Sequence, residues 1–258
     1  MTTPSQGKLY LVPAPLDFGC ATQTALEDVI PLSTLRVAAR LPSWICENAK
    51  STRAYLKRIN ELQPLSSSLQ SLQIQELPRE VHKKGDHSGN FDARPLLLAA
   101  LERNPAKEVG LVSEAGMPAI ADPGSSVVRA AHELGLPVLP LTGPMSLMLA
   151  LSASGLNGQH FAFTGYLPQD SSERAQRIRE LETTALKTGQ TQLFIETPYR
   201  NPVLLQALLQ TLQGNTRLAL SCGLTLTSGW SYSALVSQWK KQKPSAPLDL
   251  PTVFCLGR

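Results

Sequence analysis

Short apolar runs alternate along the chain with segments whose apolar residues recur at helical spacing. Lys8–Val12 (KLYLV) is rich in strand formers and stops at Pro13-Ala14-Pro15, which predicts a buried strand running into a stiffened loop. Leu35–Ala39 (LRVAA) and Val109–Val112 (VGLV) are two further runs of buried-strand type. Helical patterns cover Thr52–Leu62, Ala93–Leu101 and Ser125–Leu134, the last followed by Gly135 where a C-cap glycine belongs. Pro137–Leu141 (PVLPL) predicts another strand. Strands alternating with helices predict an α/β domain built on a largely parallel sheet.

Composition shifts at Thr142-Gly143-Pro144, and a domain boundary is placed there, giving domains 1–141 and 142–258. Beyond it the pattern predicts a short apolar helix at Ser146–Ser154, a strand at Phe161–Thr164 and a charged amphipathic helix at Ser171–Lys187. Strands at Gln192–Glu196, Arg217–Ser221 and Thr252–Leu256 follow, with helices over Val203–Leu212 and Tyr232–Lys240. Gln63–Gln73 and Arg79–Asn90 read as loops, the second carrying His82, Lys83, Lys84 and His87.

Composition narrows the class. Of 258 residues, 42% are apolar and 17% charged, which excludes a disordered chain and a coiled coil; 20 prolines suit an enzyme with stiffened loops. The formal charge of +4 permits a polyanionic partner without requiring one. Cys20, Cys46, Cys222 and Cys255 are too scattered for a zinc or C-x-x-C site and read as reduced thiols, and the histidines are isolated, so no metal is expected. Apolar stretches fall far short of about 18 residues and the start carries no secretory pattern, so no membrane role and a cytoplasmic location are expected.

The chemistry-bearing motifs begin with absences: no G-x-G-x-x-G follows the first strand, and no P-loop, nucleophile elbow or H-E-x-x-H occurs. What stands out is glycine and proline just past strand ends. Ser113–Pro118 and Ala121–Gly124 follow the strand ending at Val112, and Thr142–Ser146 follows PVLPL. Any one of these could be a tight turn. Together, at the carboxyl edge of one parallel sheet, they point to a binding cleft where backbone groups approach a ligand closely.

The stretch VSEAGMPAIADPGSSVVRAAHELGLPVLPLTGPMSLMLALSASGL, followed by FAFTGYLP, resembles the core of the tetrapyrrole (corrin/porphyrin) methylase superfamily. GKLYLVPAPL, ENAKSTRAYL and IETPYRNPVLLQAL extend the resemblance over most of residues 7–210, and within the superfamily it is strongest to the bacterial 16S ribosomal RNA 2′-O-ribose (cytidine) methyltransferases. The resemblance implies two α/β domains, the first mainly parallel and the second with a mixed sheet. It also implies S-adenosylmethionine (SAM) bound in a cleft between them, a homodimer, and ribosomal RNA as partner. Carried over by position, Pro13, Pro15, Leu16, Ser113, Glu114, Ala115, Gly116, Ile120 and Asp122 would contact the cofactor from the first domain. Thr142, Gly143, Met145, Ser146, Gly165, Tyr166, Leu167, Glu196 and Pro198 would complete its site. Glu114, beside the cationic sulfonium, is the candidate catalytic carboxylate, and it stands where the family has Asp. Asp122 and Glu196 are alternative bases, or helix caps and loop anchors.

Arg36–Arg58 holds six cations against one acid, Glu47, and Lys50, Arg53, Lys83 and Lys84 are the candidate RNA contacts; an ordinary solvated face fits the same residues. Methylation of a tetrapyrrole or other small molecule, or a SAM-binding protein with a degenerate acceptor side, are the competing readings. The first loop, Ala14–Thr22, and the nearly uncharged Ser221–Tyr232 both depart from the ribosomal RNA pattern.

Overall fold

The computed structural model describes residues 7–84, 86, 91–242 and 244–258, without the side chains of 82–84. The chain divides into two compact units, one holding the chain up to Gly19 with Gln23–Pro144, the other Cys20–Thr22 with Met145–Arg258.

The first unit runs β1 (Lys8–Leu11), α1 (Leu26–Val29), α2 (Leu32–Arg40), β2 (Ser43–Cys46), α3 (Ala49–Leu62), β3 (Gln73–Glu76), α4 (Arg79–Lys84), α5 (Arg94–Glu102), β4 (Glu108–Val112), α6 (Ser125–Glu133) and β5 (Val138–Pro140). All five strands are parallel, in the order β3-β2-β4-β1-β5. Side chains alternate across the sheet as the period of two requires. Tyr10, Val12, Trp44, Cys46 and Val112 pack against α2 and α3, while Leu9, Ile45, Val109 and Leu111 pack against α5 and α6. Burial on both faces explains why these strands read as continuous apolar runs. Trp44 lies across Gly110, its register partner; a β-carbon there would stand 2.7 Å from the indole ring.

The second unit runs α7 (Ser146–Ser154), β6 (Phe161–Tyr166), α8 (Ser171–Thr188), β7 (Thr191–Glu196), a 3-10 turn (Pro198–Arg200), α9 (Asn201–Thr211), β8 (Arg217–Cys222), β9 (Trp230–Leu235), α10 (Val236–Lys241) and β10 (Thr252–Gly257). Its sheet, β6-β7-β10-β8-β9, is mixed: β6 and β7 are parallel and the rest antiparallel. Phe194, Phe254, Leu218 and Leu220 face α8, α9 and α10, and Leu193, Val253, Cys255 and Ala219 face α7.

Four expectations from the sequence are corrected. Leu35–Ala39 is helical, inside α2. Pro31 occupies its N-cap, and the buried residues Thr34, Leu35, Ala38 and Ala39 follow the helical period, where a strand would bury 35, 37 and 39. Tyr232–Lys240 splits into the end of β9 and then α10. The supposed loop Arg79–Asn90 begins with α4, and Gln73, taken as loop, opens the polar edge strand β3. β2 has no counterpart in the sequence reading: four residues are too few to show a period.

Candidate functional site

In the first sheet β1 lies beside β4, yet the chain leaving β1 goes on to β2 and the chain leaving β4 goes on to β5. The carboxyl ends of β1 and β4 therefore flank a topological switch point, where open α/β sheets take their ligands. The loops that leave the two strands are joined there. Ala14 and Gly116 exchange amide–carbonyl hydrogen bonds of 2.9 and 3.0 Å. Gly116 adopts φ +69°, a left-handed conformation that glycine takes without strain. Gly143 is required for space: a β-carbon on it would stand 2.2 Å from Pro13 Cγ. The Tyr55 hydroxyl donates to the Pro13 carbonyl and the Thr34 hydroxyl to the Thr142 carbonyl, each at 2.8 Å.

The loop from Ser113 to Gly124 is held in an unusual conformation. Besides its two left-handed glycines it carries Ala119 and Ala121 at φ +65°, and each such alanine costs about 1 kcal/mol or more. The far end of this loop is anchored by Asp86. That buried carboxylate accepts from the Gly124 and Ser126 amides at 2.8 and 2.9 Å and from the Ser125 and Ser126 hydroxyls at 2.7 Å, capping α6 from outside its own segment. Burial pushes the Asp86 carboxyl up, but the Ser126 and Ser125 hydroxyls with the two amides outweigh it, leaving the pKa below the ordinary value.

A cavity of about 450 Å³ opens among the proline loop, the start of α3 and the end of β4, within the size range of ligand pockets. Pro15, Phe18, Lys50, Tyr55, Ser113 and Glu114 are among its lining residues. Two of these carry buried polar atoms with no hydrogen-bond partner, Ser113 Oγ and Glu114 Oε1. Orphaned polar atoms are costly, about 1–3 kcal/mol each, and a polar ligand satisfies them. Asp17 and Arg58 form another part of the wall. The guanidinium meets both carboxylate oxygens of the buried Asp17 at 3.1 Å and donates to the Thr24 carbonyl at 2.6 Å. With Tyr55 three residues earlier on the same helix face, Arg58 staples the proline loop to α3. Asn48 caps α3 through the amides of Lys50 and Ser51. Asp122, in the strained loop, has its pKa raised to about 7 by burial first and then by the negative charges of Glu47 and Glu114.

The chain is similar to known proteins. The chain is 31% identical over 220 residues to the ribosomal RNA small subunit methyltransferase I of Vibrio cholerae, covering 85% of this chain. It is 30% identical over 242 residues to the protein of that name from Escherichia coli O157:H7, covering 92% of this chain and 73% of the relative. The chain belongs to the ribosomal RNA small subunit methyltransferase I family. It spans only 65% of the Vibrio cholerae relative and 66% of one from Mesorhizobium japonicum. No protein-family model matches it. Among solved structures, a uroporphyrin-III C-methyltransferase from Thermus thermophilus superposes with a TM-score of 0.54 at 19% identity, covering 98% of this chain and 94% of that one. The two α/β units therefore have the tetrapyrrole methylase fold that the resemblance implied.

Of the site residues inferred for this family member, Pro15, Ser113, Glu114 and Lys50 line the cavity, and Pro13, Leu16, Gly116 and Gly143 form the joint between the loops. Ala115 and Ile120 lie in the strained loop, the latter 39% exposed. In the second unit Met145 and Ser146 start α7, and Gly165, at φ +73°, sits in the register shift of β6 beside exposed Tyr166. The Leu167 side chain is buried in the core packed on α8 and α9. Glu196 Oε1 accepts from the Thr197 amide and from Arg200, whose 3-10 turn opens at Pro198. Arg53 is exposed on α3, and the side chains of Lys83 and Lys84, like all of His87, lie outside the described residues. Sequence reasoning gave Asp17 and Asp86 no part in a site. It read Arg58 only as one of the Arg36–Arg58 cations and Tyr55 only as an aromatic of the core or a stacking face, and so missed the staple and the Asp86 anchor. Only the three-residue spacing of Tyr55 and Arg58 hinted that both face one side of a helix.

No helix among the described residues is long and apolar enough to cross a membrane, and no cluster among them could hold a metal ion.

Proposed function

We propose that the protein is a SAM-dependent methyltransferase acting on ribosomal RNA, as a homodimer in the cytoplasm. The observation that carries the reading is the strained Ser113–Gly124 loop at the switch point, with Ser113 Oγ and Glu114 Oε1 buried and unpartnered beside a cavity. The residues fit the cofactor: an unpaired carboxylate oxygen suits a sulfonium cation, and the hydroxyl suits a polar atom of its amino-acid or ribose part. When bound, SAM supplies both the methyl group and its leaving group.

The chain's own task is then to bind, orient and deprotonate. This reading assigns Pro13, Pro15, Leu16, Ala115, Gly116 and Ile120 to the backbone frame that borders the cofactor from the first unit. Thr142, Gly143, Met145, Ser146, Gly165, Tyr166, Leu167 and Pro198 are assigned by this reading to the remaining cofactor contacts. Holding donor and acceptor in line can contribute about 7–11 kcal/mol. A hydroxyl acceptor also needs somewhere for its proton to go. Glu196 is engaged by Arg200 and Thr197, whereas the Asp122 carboxylate, with a pKa of about 7, has the proton affinity of a general base near neutrality. Transfer of radiolabel from methyl-labelled SAM tests the reading. Label entering small ribosomal subunits lacking this modification is the expected result. Label entering only small-molecule extracts, or nothing, overturns it.

A further inference from the structure

The outer face of α3 carries a charge pattern that the cavity alone does not explain. Lys50, Arg53 and Lys57 succeed one another at spacings of three and four, so they share one face of the helix, away from the buried Thr52, Tyr55, Leu56 and Ile59. All three are exposed, and none joins an ion pair among the described residues. The neighbouring cations are not equivalent. Arg58 is neutralised by Asp17 and Arg40 by Glu108. Three acids lie nearby: Glu47 before the helix, Glu76, which accepts from the Ala49 amide at 2.7 Å, and Glu61 one turn beyond Lys57. The stripe itself presents three positive charges and no acid, and Lys50 stands both at its end and in the cavity wall. Phe18, 46% exposed, lines the same cavity.

We propose that this face of α3 is the docking track for a single-stranded RNA segment, its phosphates on Lys50, Arg53 and Lys57 and one nucleotide turning at Lys50 into the cavity beside Phe18. The inference rests on the ribosomal RNA reading above and adds where the strand lies. From Lys50 to Lys57 the helix advances about 10 Å, enough for a few phosphates and not for a long groove. A base must leave its stack to enter a pocket, which a single strand allows most cheaply, and the exposed Phe18 ring in the cavity wall is of the type on which bases stack. A membrane surface is disfavoured because the apolar face of α3 is already buried in the core.

The experiment is fluorescence anisotropy with a labelled 12-nucleotide single-stranded RNA of mixed sequence, titrated from 50 to 300 mM KCl. SAM calorimetry runs on the same proteins. Three phosphate contacts contribute about −2 to the slope of log affinity against log salt, at roughly −0.7 each for single strands. The triple variant Lys50→Gln, Arg53→Gln, Lys57→Gln is expected to lose about that slope and at least tenfold in affinity at 100 mM salt, and the double variant Arg53→Gln, Lys57→Gln, which leaves the cavity wall intact, to lose about two thirds of that slope while binding SAM as the wild type does. Lys240→Gln with Lys241→Gln, exposed in the second unit, is the control expected to change neither. An RNA affinity and slope untouched by the triple variant overturn the proposal, as does a wild type that binds SAM but no RNA. So does a triple variant that loses binding to phosphatidylserine vesicles while keeping its RNA. Retained RNA binding with no SAM binding in the wild type instead removes the methyltransferase reading, and loss of that RNA binding in the triple variant still supports the track.

Discussion

Two carboxylates in and around the motif loop carry opposite pH signatures. The Asp122 pKa is raised to about 7, so the folded protein holds that proton more tightly than the unfolded chain. Its contribution to stability is complete below about pH 4 and is lost as pH rises through about 7. Asp122→Asn keeps the size and removes the charge, so it should gain on the wild type by on the order of 1–3 kcal/mol between pH 5 and pH 8.5 in urea unfolding. A difference that stays constant with pH would contradict the burial argument. Asp86 runs the other way: its lowered pKa makes it stabilising above the ordinary carboxylate range, with the benefit lost in acid as pH falls through the folded value. Asp86→Asn should cost about 1–3 kcal/mol at pH 7, with the penalty shrinking toward pH 3. Gly143→Ala tests the loop joint. Its β-carbon would overlap the Pro13 ring, so a lowered melting temperature together with weakened SAM binding is expected.

Among the elements, what the sequence showed depended on length and on which neighbours do the packing. β1 and β4, buried on both faces and ended by proline or glycine, were legible as runs. α2 was not, because the five residues Leu35–Ala39, four of them apolar, fit either period until the helix is seen to bury 34, 35, 38 and 39. Leu35→Ala should accordingly cost about 2–4 kcal/mol in chemical unfolding, while Arg36→Ala, exposed one residue on, should stay within about 0.5. Equal losses at both positions would argue against the helix. β3 was missed because an edge strand of Gln and Glu carries no apolar period. In the site, the glycine and proline loops announced themselves through composition. The staple did not, because Asp17 and Arg58 pair across 41 positions and only the folded chain brings them together. Asp86 was hidden for the same reason, meeting Gly124 from 38 residues away.

For the molecule as a whole, a parallel sheet of order β3-β2-β4-β1-β5 and a mixed sheet accompany membership of a ribosomal RNA methyltransferase family, while the chain spans about two thirds of several relatives. The weak net charge of +4 conceals an uneven distribution, with three exposed cations of α3 that join no ion pair among the described residues. Everything functional turns on whether the switch-point loop receives the cofactor. Isothermal titration calorimetry with SAM, on the wild type and on Glu114→Gln, addresses that directly. Saturable binding at one site per chain, weakened at least tenfold in the variant, is the predicted result; no heat of binding at millimolar SAM, or an affinity indifferent to Glu114, would contradict it.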